Sequence, residues 1–155
     1  SYAKTHHLKI IQVRPFNHIG ERQNIGFVVA DFASQIVKIE QGKQDKIMIG
    51  NLSSMRDFSD VKDISKGYVL LMEKGEVGKI YNLGSGRGYS IQEILNMLIS
   101  LAKKTIKVEV DPAKFRPLDT AKVIADNSKI KKMGWKPTAN IKKTLARILD
   151  FYRQI

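Results

Sequence analysis

The sequence predicts an α/β fold in which a small mixed sheet is accompanied by several helices. Short β-prone runs alternate along the chain with longer runs whose apolar residues recur at helical spacing. The loops between these runs are long and polar, unlike those of a minimal doubly wound sheet. The length of 155 residues fits a single domain that can bury an ordinary hydrophobic core.

Short apolar runs bounded by turn residues predict the strands. They are expected at residues 8–13, 46–49, 79–83, 106–110 and 122–125. Pro15 should end the first strand, because proline cannot donate a backbone hydrogen bond to a neighbouring strand.

Longer amphipathic runs predict the helices. They are expected at residues 25–40, 61–71, 91–101 and 141–152, with a shorter helix that begins at Asp126 or Asn127 and stops at Gly134. Asp60 is predicted to cap the second helix, and Ser90 forms a capping box with Glu93 at the start of the third. These caps define where two of the helices begin.

The composition excludes several classes of protein. With no cysteine, neither disulfides nor thiolate metal sites can form, and a reducing cytoplasm is the expected compartment. No apolar run approaches the ~20 residues that a membrane span requires, so no membrane partner is expected. His6, His7 and His18 have no carboxylate or cysteine at metal-ligand spacing, so the sequence predicts no metal site. His18 is either a general base or a bystander, and its polar loop favours a bystander.

The chain is strongly basic, with a formal net charge of +12. Dense lysine and arginine surfaces bind phosphate backbones, so a basic, non-enzymatic nucleic-acid-binding module is the alternative function. The distribution argues against it, because the lysines are scattered and no aromatic residues are interleaved with them. Short lysine pairs are expected on solvated helix faces: Lys103 with Lys104, Lys131 with Lys132, and Lys142 with Lys143. We therefore expect no nucleic-acid partner.

The stretch LGSGRGYSIQEIL, residues 83–95, places glycines between a predicted strand and a predicted helix. Glycines at such a junction can bring backbone N–H groups to a nucleotide phosphate. Here Tyr89 stands at the third glycine position of G-x-G-x-x-G, and the Ser90/Glu93 box occupies N–H groups that an anion would need. We expect a turn behind the ligand site, with glycines that shape the wall of the pocket, and not an independent dinucleotide site.

Arginines in three loops are better candidates for an anion site. Arg14, Arg56 and Arg116 each lie at or just beyond a predicted strand, where α/β sheets bind ligands. A planar guanidinium suits a diphosphate, and a nearby carboxylate can orient it or accept from a ribose hydroxyl. Taken singly, each arginine is more simply a surface salt-bridge residue, but the three together favour a ligand. The same loops also carry Asn17, Asp57 and Asp119.

Six segments occur in one order along the chain: RPFNHIG, FVVADFASQIVKIEQG, GNLSSMRDFSDVKDISKGY, YNLGSGRGYSIQEIL, DPAKFRPLDT and GWKP. In that order they resemble the C-terminal, substrate-binding half of the extended short-chain dehydrogenases of the NAD-dependent epimerase/dehydratase family. The closest likeness is to the GDP-mannose 4,6-dehydratase and GDP-4-keto-6-deoxymannose reductase group. The resemblance covers nearly the whole chain and implies the C-terminal part of a Rossmann-like fold.

The resemblance implies a site for a nucleotide-diphosphate sugar, with a GDP-sugar as the ligand. Asn17 matches the asparagine that contacts the sugar nucleotide. Arg56 and Arg116 match the arginines that grip the diphosphate. The remaining matches are Asp119 near the ribose hydroxyls and Asn51 and Leu52 in the base pocket.

The resemblance also implies NAD or NADP in the parent enzyme, bound mainly by an N-terminal half. Pro15 and Phe16 would run beside the nicotinamide. The segment SYAKTHH resembles the end of the helix that carries the family's Tyr-x-x-x-Lys pair, whose tyrosine donates or accepts a proton. The expectation is therefore that this chain holds no catalytic residue and is inactive alone. Dehydratase and reductase chemistry both stay open.

One substrate-binding domain, residues 1–155, is expected. Residues 1–24 would be the tail of the Rossmann half, and residues 25–155 would bind the nucleotide sugar. The resemblance allows a homodimer for the full-length parent. Glu21 departs from the family pattern, because a proline is expected there, and it would place an acid near the mouth of the site.

Overall fold

The structure is a computed structural model that describes residue 5, residues 8–114 and residues 121–155. Strands and helices alternate through these residues, which confirms the predicted α/β class. The strands are β1 Gln12–Pro15, β2 His18–Ile19, β3 Lys46–Ile49, β4 Met55–Asp57, β5 Ser59–Asp60, β6 Ile80–Leu83, β7 Gly88–Ser90, β8 Lys107–Val110 and β9 Lys122–Val123. The helices are α1 Val28–Glu40, α2 Val61–Lys74, α3 Ile91–Ile99, α4 Ser128–Lys132 and α5 Ile141–Gln154, with a 3-10 turn at Pro112–Lys114.

Within the described part of the chain, the strands are divided among four small sheets. Parallel pairs join β1 to β6, β2 to β5 and β3 to β8. The fourth sheet is mixed, as the sequence predicted: β4 lies between β7, which is antiparallel to it, and β9, which is parallel. This mixed sheet positions the candidate site.

The first strand lies later in the chain than the sequence predicted. It spans Gln12–Pro15 and contains the proline that was expected to end it. The N–H groups of Gln12 and Phe16 donate to the carbonyls of Lys79 and Leu83 at the β6 side. Alternate residues along a strand present their N–H groups to opposite edges, so Pro15 lies where its missing N–H faces away from β6.

The first helix begins at Val28, three positions after the predicted start at Ile25. Gly26 has φ 119°, a left-handed conformation that cannot continue a helix. Phe27 is extended at the N-cap position. The remaining predicted strands and helices are present with ends shifted by a few residues at most, whereas the short strands β2, β4, β5 and β7 were not predicted.

Two hydrophobic clusters hold these elements together. The larger one joins α1, α3 and α5 and includes the fully buried Ile36, Leu95 and Leu149. The smaller one lies between α2, β6 and the segment after α4, where Trp135 is buried. The Trp135 Nε1 donates to the Asp63 carbonyl at 3.1 Å, which ties the segment after α4 to the start of α2.

Asp60 caps α2, as predicted, by accepting from the Lys62 N–H at 2.8 Å. Its second oxygen accepts from Thr144 and Arg147 of α5, at 2.7 and 2.9 Å. Burial acts to raise the pKa of Asp60, but the hydrogen bonds from Thr144, Lys62 and Arg147 outweigh it and lower the pKa below its usual value. The cap therefore also fastens α2 to α5.

Both arginines of α5 are paired with carboxylates. Arg147 donates to Glu21 through Nε at 2.8 Å and Nη2 at 3.2 Å, and these hydrogen bonds are the main reason that the pKa of Glu21 falls to about 2. Arg153 pairs with Glu40 at 2.7 Å, and its hydrogen bond likewise lowers the pKa of Glu40. These arginines stabilise the helix packing.

Among the described residues, no helix has the length and apolar character needed to cross a bilayer.

Candidate functional site

Two adjoining cavities, together called the cleft, lie between β1, α1 and β4. Their volumes are about 610 and 620 Å³. Asn17, Gly26, Val28 and Phe58 line both of them, so the two cavities adjoin. A cleft of this size suits a ligand larger than a single ring.

The first cavity contains the residues predicted to lie beside a nicotinamide. Pro15 and Phe16 line it together with Ile19, Val29 and other apolar residues. His18 also lines it, and its Nδ1 lies 3.0 Å from the Phe16 carbonyl oxygen, a contact in which Nδ1 carries the proton. The roles of Pro15 and Phe16 stay predictions.

The second cavity brings together four of the residues predicted to bind the substrate. Asn51, Leu52 and Arg56 line it, and Asn17 reaches it from the shared wall. The Asn51 Oδ1 accepts from the N–H and the hydroxyl of Ser53, at 2.9 and 2.7 Å, which holds the loop after β3 in a tight turn. The chosen residues are thus adjacent in space.

Consecutive side chains of β4 point to opposite faces, which places Arg56 and Asp57 in different surroundings. Successive side chains of a strand leave it on opposite faces. Arg56 and Phe58 line the cleft, whereas Asp57, between them, is fully buried on the other side. The pairing of β4 with Tyr89 of β7 and Val123 of β9 fixes Arg56 in this register.

The Arg56 guanidinium is available to a ligand. Its Nη1 donates to the Met55 carbonyl at 2.8 Å, and no carboxylate of the described residues lies within ion-pair distance of it. Arg147 and Arg153 differ, because each is held by carboxylates. A half-buried guanidinium that lines a cavity without an anionic partner is suited to bind a diphosphate.

The buried carboxylate of Asp57 accepts hydrogen bonds from the glycine-rich turn of residues 84–88. This carboxylate accepts from the N–H and hydroxyl of Ser85 at 3.0 and 2.6 Å, and from the N–H groups of Gly86 and Ala125 at 2.8 and 3.2 Å. A Cβ on Gly84 would lie 2.9 Å from Asp57 Oδ2 and 2.8 Å from the Ala125 Cβ, so this approach requires glycine. The backbone N–H groups that could hold a phosphate bind this carboxylate instead.

The capping box at the start of α3 is present as predicted. The Ser90 Oγ accepts from the Glu93 N–H at 3.1 Å, and Glu93 accepts from the Ser90 N–H at 2.7 Å. That backbone hydrogen bond is the main cause of the lowered pKa of Glu93. The glycines of residues 84–88 line neither cavity, so the expectation that they shape the wall of the pocket was wrong; the position of the turn behind the site stays a prediction.

Several other predicted residues lie elsewhere. Arg14 is exposed and lines neither cavity. Glu21 also lines neither cavity, and its carboxylate is bound to Arg147; an acid near the mouth of the site stays a prediction. Arg116 and Asp119 lie outside the described residues, as do His6, His7 and most of the SYAKTHH segment. Within the described ranges, no group of three His, Asp or Glu side chains is arranged to hold a metal ion.

Sequence reasoning missed two charged residues of the second cavity, Asp31 and Lys114. Asp31 lies in the first turn of α1 and Lys114 ends the 3-10 turn, and their charged atoms are 3.7 Å apart. The Lys114 backbone passes so close to Gly50 that a Cβ there would overlap the Lys114 carbonyl oxygen. The signal in the sequence was the acidic residue within the apolar run of α1.

Comparison with known proteins identifies the family. A family model described as GDP-mannose 4,6 dehydratase matches residues 1–148. The chain belongs to this family. It is 35% identical over 144 residues to GDP-6-deoxy-D-mannose reductase of Pseudomonas aeruginosa, which is 92% of this chain and 47% of that protein. It is 33% identical over 150 residues to UDP-glucose 4-epimerase of Corynebacterium glutamicum, which is 88% of this chain and 45% of that protein.

A solved structure gives the same assignment. The structure of RMD from Pseudomonas aeruginosa complexed with NADPH matches with a TM-score of 0.92 and 32% identity, over 99% of this chain and 51% of that chain. The resemblance to extended short-chain dehydrogenases is thereby confirmed. This GDP-mannose dehydratase family member spans about half the length of the curated relatives it matches.

Proposed function

We propose that this chain is the GDP-sugar-binding portion of a nucleotide-sugar dehydratase or reductase of deoxysugar biosynthesis. The observation that carries the proposal is Arg56, a half-buried guanidinium without a carboxylate partner among the described residues, at the wall of a cavity that Asn17, Asn51 and Leu52 also line. The membership of the chain in the GDP-mannose 4,6 dehydratase family supports the same class of ligand, since the relatives include GDP-sugar enzymes.

The ligand would lie along the second cavity. Arg56 would hold the diphosphate with charge-assisted hydrogen bonds, and Asn51 and Leu52 would contact the base. Asn17 would contact the sugar, because it is shared with the first cavity. Arg116 and Asp119 are proposed as a second diphosphate ligand and a ribose ligand.

NAD or NADP would serve the whole enzyme, as its relatives solved with NADPH and NAD suggest. The glycine-rich turn does not fit the pyrophosphate of a dinucleotide, because Asp57 already binds its N–H groups. The apolar first cavity fits a nicotinamide ring beside Pro15 and Phe16. When bound, the nicotinamide would exchange a hydride with C4 of the sugar.

Titration of the protein with GDP, GDP-mannose and a short DNA duplex, at low and at raised salt, tests this function. We expect GDP and GDP-mannose to bind more tightly than the duplex, and duplex binding to fall steeply as salt rises. Duplex binding that exceeds GDP binding and survives raised salt would contradict the proposal and favour a nucleic-acid-binding module. Because Arg116 is proposed as a second diphosphate ligand, Arg116→Ala should bind GDP more weakly than the wild type.

A further inference from the structure

The strand β8 has one edge that pairs with β3 and one that pairs with no other described strand. The Asp111 N–H donates to the Ile49 carbonyl at 2.8 Å, so alternate residues backwards from Asp111 present their backbone groups to β3. The N–H and carbonyl groups of Val108 and Val110 therefore point to the other edge. Such an edge is a template for pairing with a further strand.

The apolar face of the sheet formed by β3 and β8 is covered at β3 and exposed at β8. In the parallel register Val108 lies beside Ile47 and Val110 lies beside Ile49, so these side chains share one face. Ile47 is 0% and Ile49 7% exposed, whereas Val108 is 41% and Val110 54% exposed. The apolar surface thus continues from the core along β8 towards its free edge.

The opposite face of β8 carries two charges of opposite sign, Lys107 and Glu109. Glu109 pairs with Lys46 of β3, whereas Lys107 has no carboxylate within ion-pair distance among the described residues. Charged residues on an edge strand commonly prevent it from pairing. Here their order favours one particular partner.

The sequence IKVEV, from Ile106 to Val110, is complementary to itself when a second copy runs antiparallel to it. With Val108 facing Val108 of the second copy, Lys107 faces Glu109. Ile106 then faces Val110. Opposite charges in facing positions stabilise an antiparallel pair, and like charges destabilise it.

The backbone agrees with this register. Because Val108 points its N–H and carbonyl to the free edge, its two copies would form a hydrogen-bonded pair. Lys107 and Glu109 would then face each other at a non-hydrogen-bonded position, where side chains lie closest. A register centred on Lys107 or on Glu109 would bring like charges together.

We propose that two copies of this chain associate through β8, centred on Val108, to form one continuous sheet in the strand order β3–β8–β8–β3. The proposal does not depend on the ligand of the cleft. A short strand pair buries little surface, so the dimer is weak and its fraction rises with protein concentration.

Disulfide formation tests the register, because the chain has no cysteine of its own. In Val108→Cys the two thiols would face each other within disulfide reach. Val110→Cys is the matched control on the same face of β8, and its two thiols would lie about 14 Å apart along the strands, too far for a disulfide. Under mild oxidation Val108→Cys should form the linked dimer at least about tenfold faster than Val110→Cys. Equal rates would overturn the register.

Sedimentation equilibrium of charge variants tests the partner. Lys107→Glu and Glu109→Lys should each weaken self-association at least about tenfold, because two like-charged pairs replace two opposite pairs in the dimer. An equimolar mixture of the two variants should restore association, since each then meets opposite charges. Lys142→Glu, at an exposed lysine of α5, is the matched control and should associate as the wild type does.

A wild-type protein that stays monomeric up to about 1 mM would overturn the proposal. Association of Lys107→Glu equal to that of the wild type would do the same, because it would place the contact elsewhere. A mixture that fails to restore association would overturn the antiparallel pairing.

Discussion

Arg56 and Asp57 are neighbours in β4, but their side chains leave the strand on opposite faces and meet different surroundings. Asp57 is fully buried and accepts from the N–H groups of Ser85, Gly86 and Ala125. Arg56 lines a cavity and donates to one backbone carbonyl. A charge whose hydrogen bonds are satisfied within the fold stabilises that fold, whereas a charge left available in a cavity is suited to bind a ligand.

The largest effect on stability is expected from a substitution of Asp57, on the buried face of β4. Asp57→Ala would leave the N–H groups of Ser85, Gly86 and the buried Ala125 without their acceptor, so the free energy of unfolding should fall by about 3 kcal/mol. Urea denaturation measures this loss. Asp45→Ala, at an exposed aspartate, is the matched control and should change it by no more than about 0.5 kcal/mol. A loss as small as that for Asp57→Ala would show that the carboxylate does not anchor the turn.

A smaller effect on stability is expected from a substitution of Gly50, which lines the second cavity. In Gly50→Ala the added methyl group would overlap the Lys114 carbonyl oxygen, so the backbone of the 3-10 turn must move. We expect a loss of about 2 kcal/mol in the free energy of unfolding, as in other overpacked sites, together with weaker GDP binding. Thermal unfolding and calorimetry measure the two changes. Unchanged GDP binding would indicate that Lys114 does not contact the ligand.

The smallest effect concerns Glu21, whose arginine partner lies outside the cleft. The pKa of Glu21 is lowered from 4.5 to about 2, mainly by its hydrogen bond with Arg147. A lowered pKa stabilises the folded state above the unfolded-state value, and the stabilisation is lost as pH falls from 4.5 towards 2. Glu21→Gln should therefore reduce the free energy of unfolding by about 1 kcal/mol at neutral pH, since the pair is partly solvated.

The difference between wild type and Glu21→Gln should shrink as pH falls below about 4.5. Denaturation curves collected from neutral to acidic pH measure it, with exposed Glu73→Gln as the control. A difference that stays constant with pH would contradict the role of the charged pair. GDP binding should be the same in both variants, in contrast to changes at Arg56.

Local chemistry made part of this fold predictable. The Asp60 cap and the Ser90/Glu93 box depend on residues a few positions apart, so the sequence alone indicates them. The strand β4 was not predicted, because its three residues carry no apolar alternation and its backbone is held by β7 and β9. Arg56 was expected in a loop but lies in β4, where it lines the second cavity; its part in a ligand site stays a prediction.

The polar contacts of the site could not be predicted for the same reason. Asp57 meets Ser85 and Ala125, which follow it at distances of 28 and 68 residues along the chain. Asp31 meets Lys114 only because β3 and β8 pair and bring the 3-10 turn beside α1. Such contacts follow from tertiary structure, and periodicity carries no signal for them. The resemblance supplied the ligand class that spacing alone left open.

The most direct measurement is calorimetric titration of GDP against Arg56→Ala and against Arg87→Ala. Arg87 is the matched control, since it lies in the glycine-rich turn over the Tyr89 ring and lines neither cavity. Arg56→Ala should bind GDP about 10-fold to 100-fold more weakly, the loss expected for hydrogen bonds to a charged group, with an unfolding curve close to that of the wild type. Arg87→Ala should bind GDP as the wild type does. A folded Arg56→Ala variant that binds GDP as tightly as the wild type would contradict the proposal that Arg56 of β4 binds the nucleotide diphosphate.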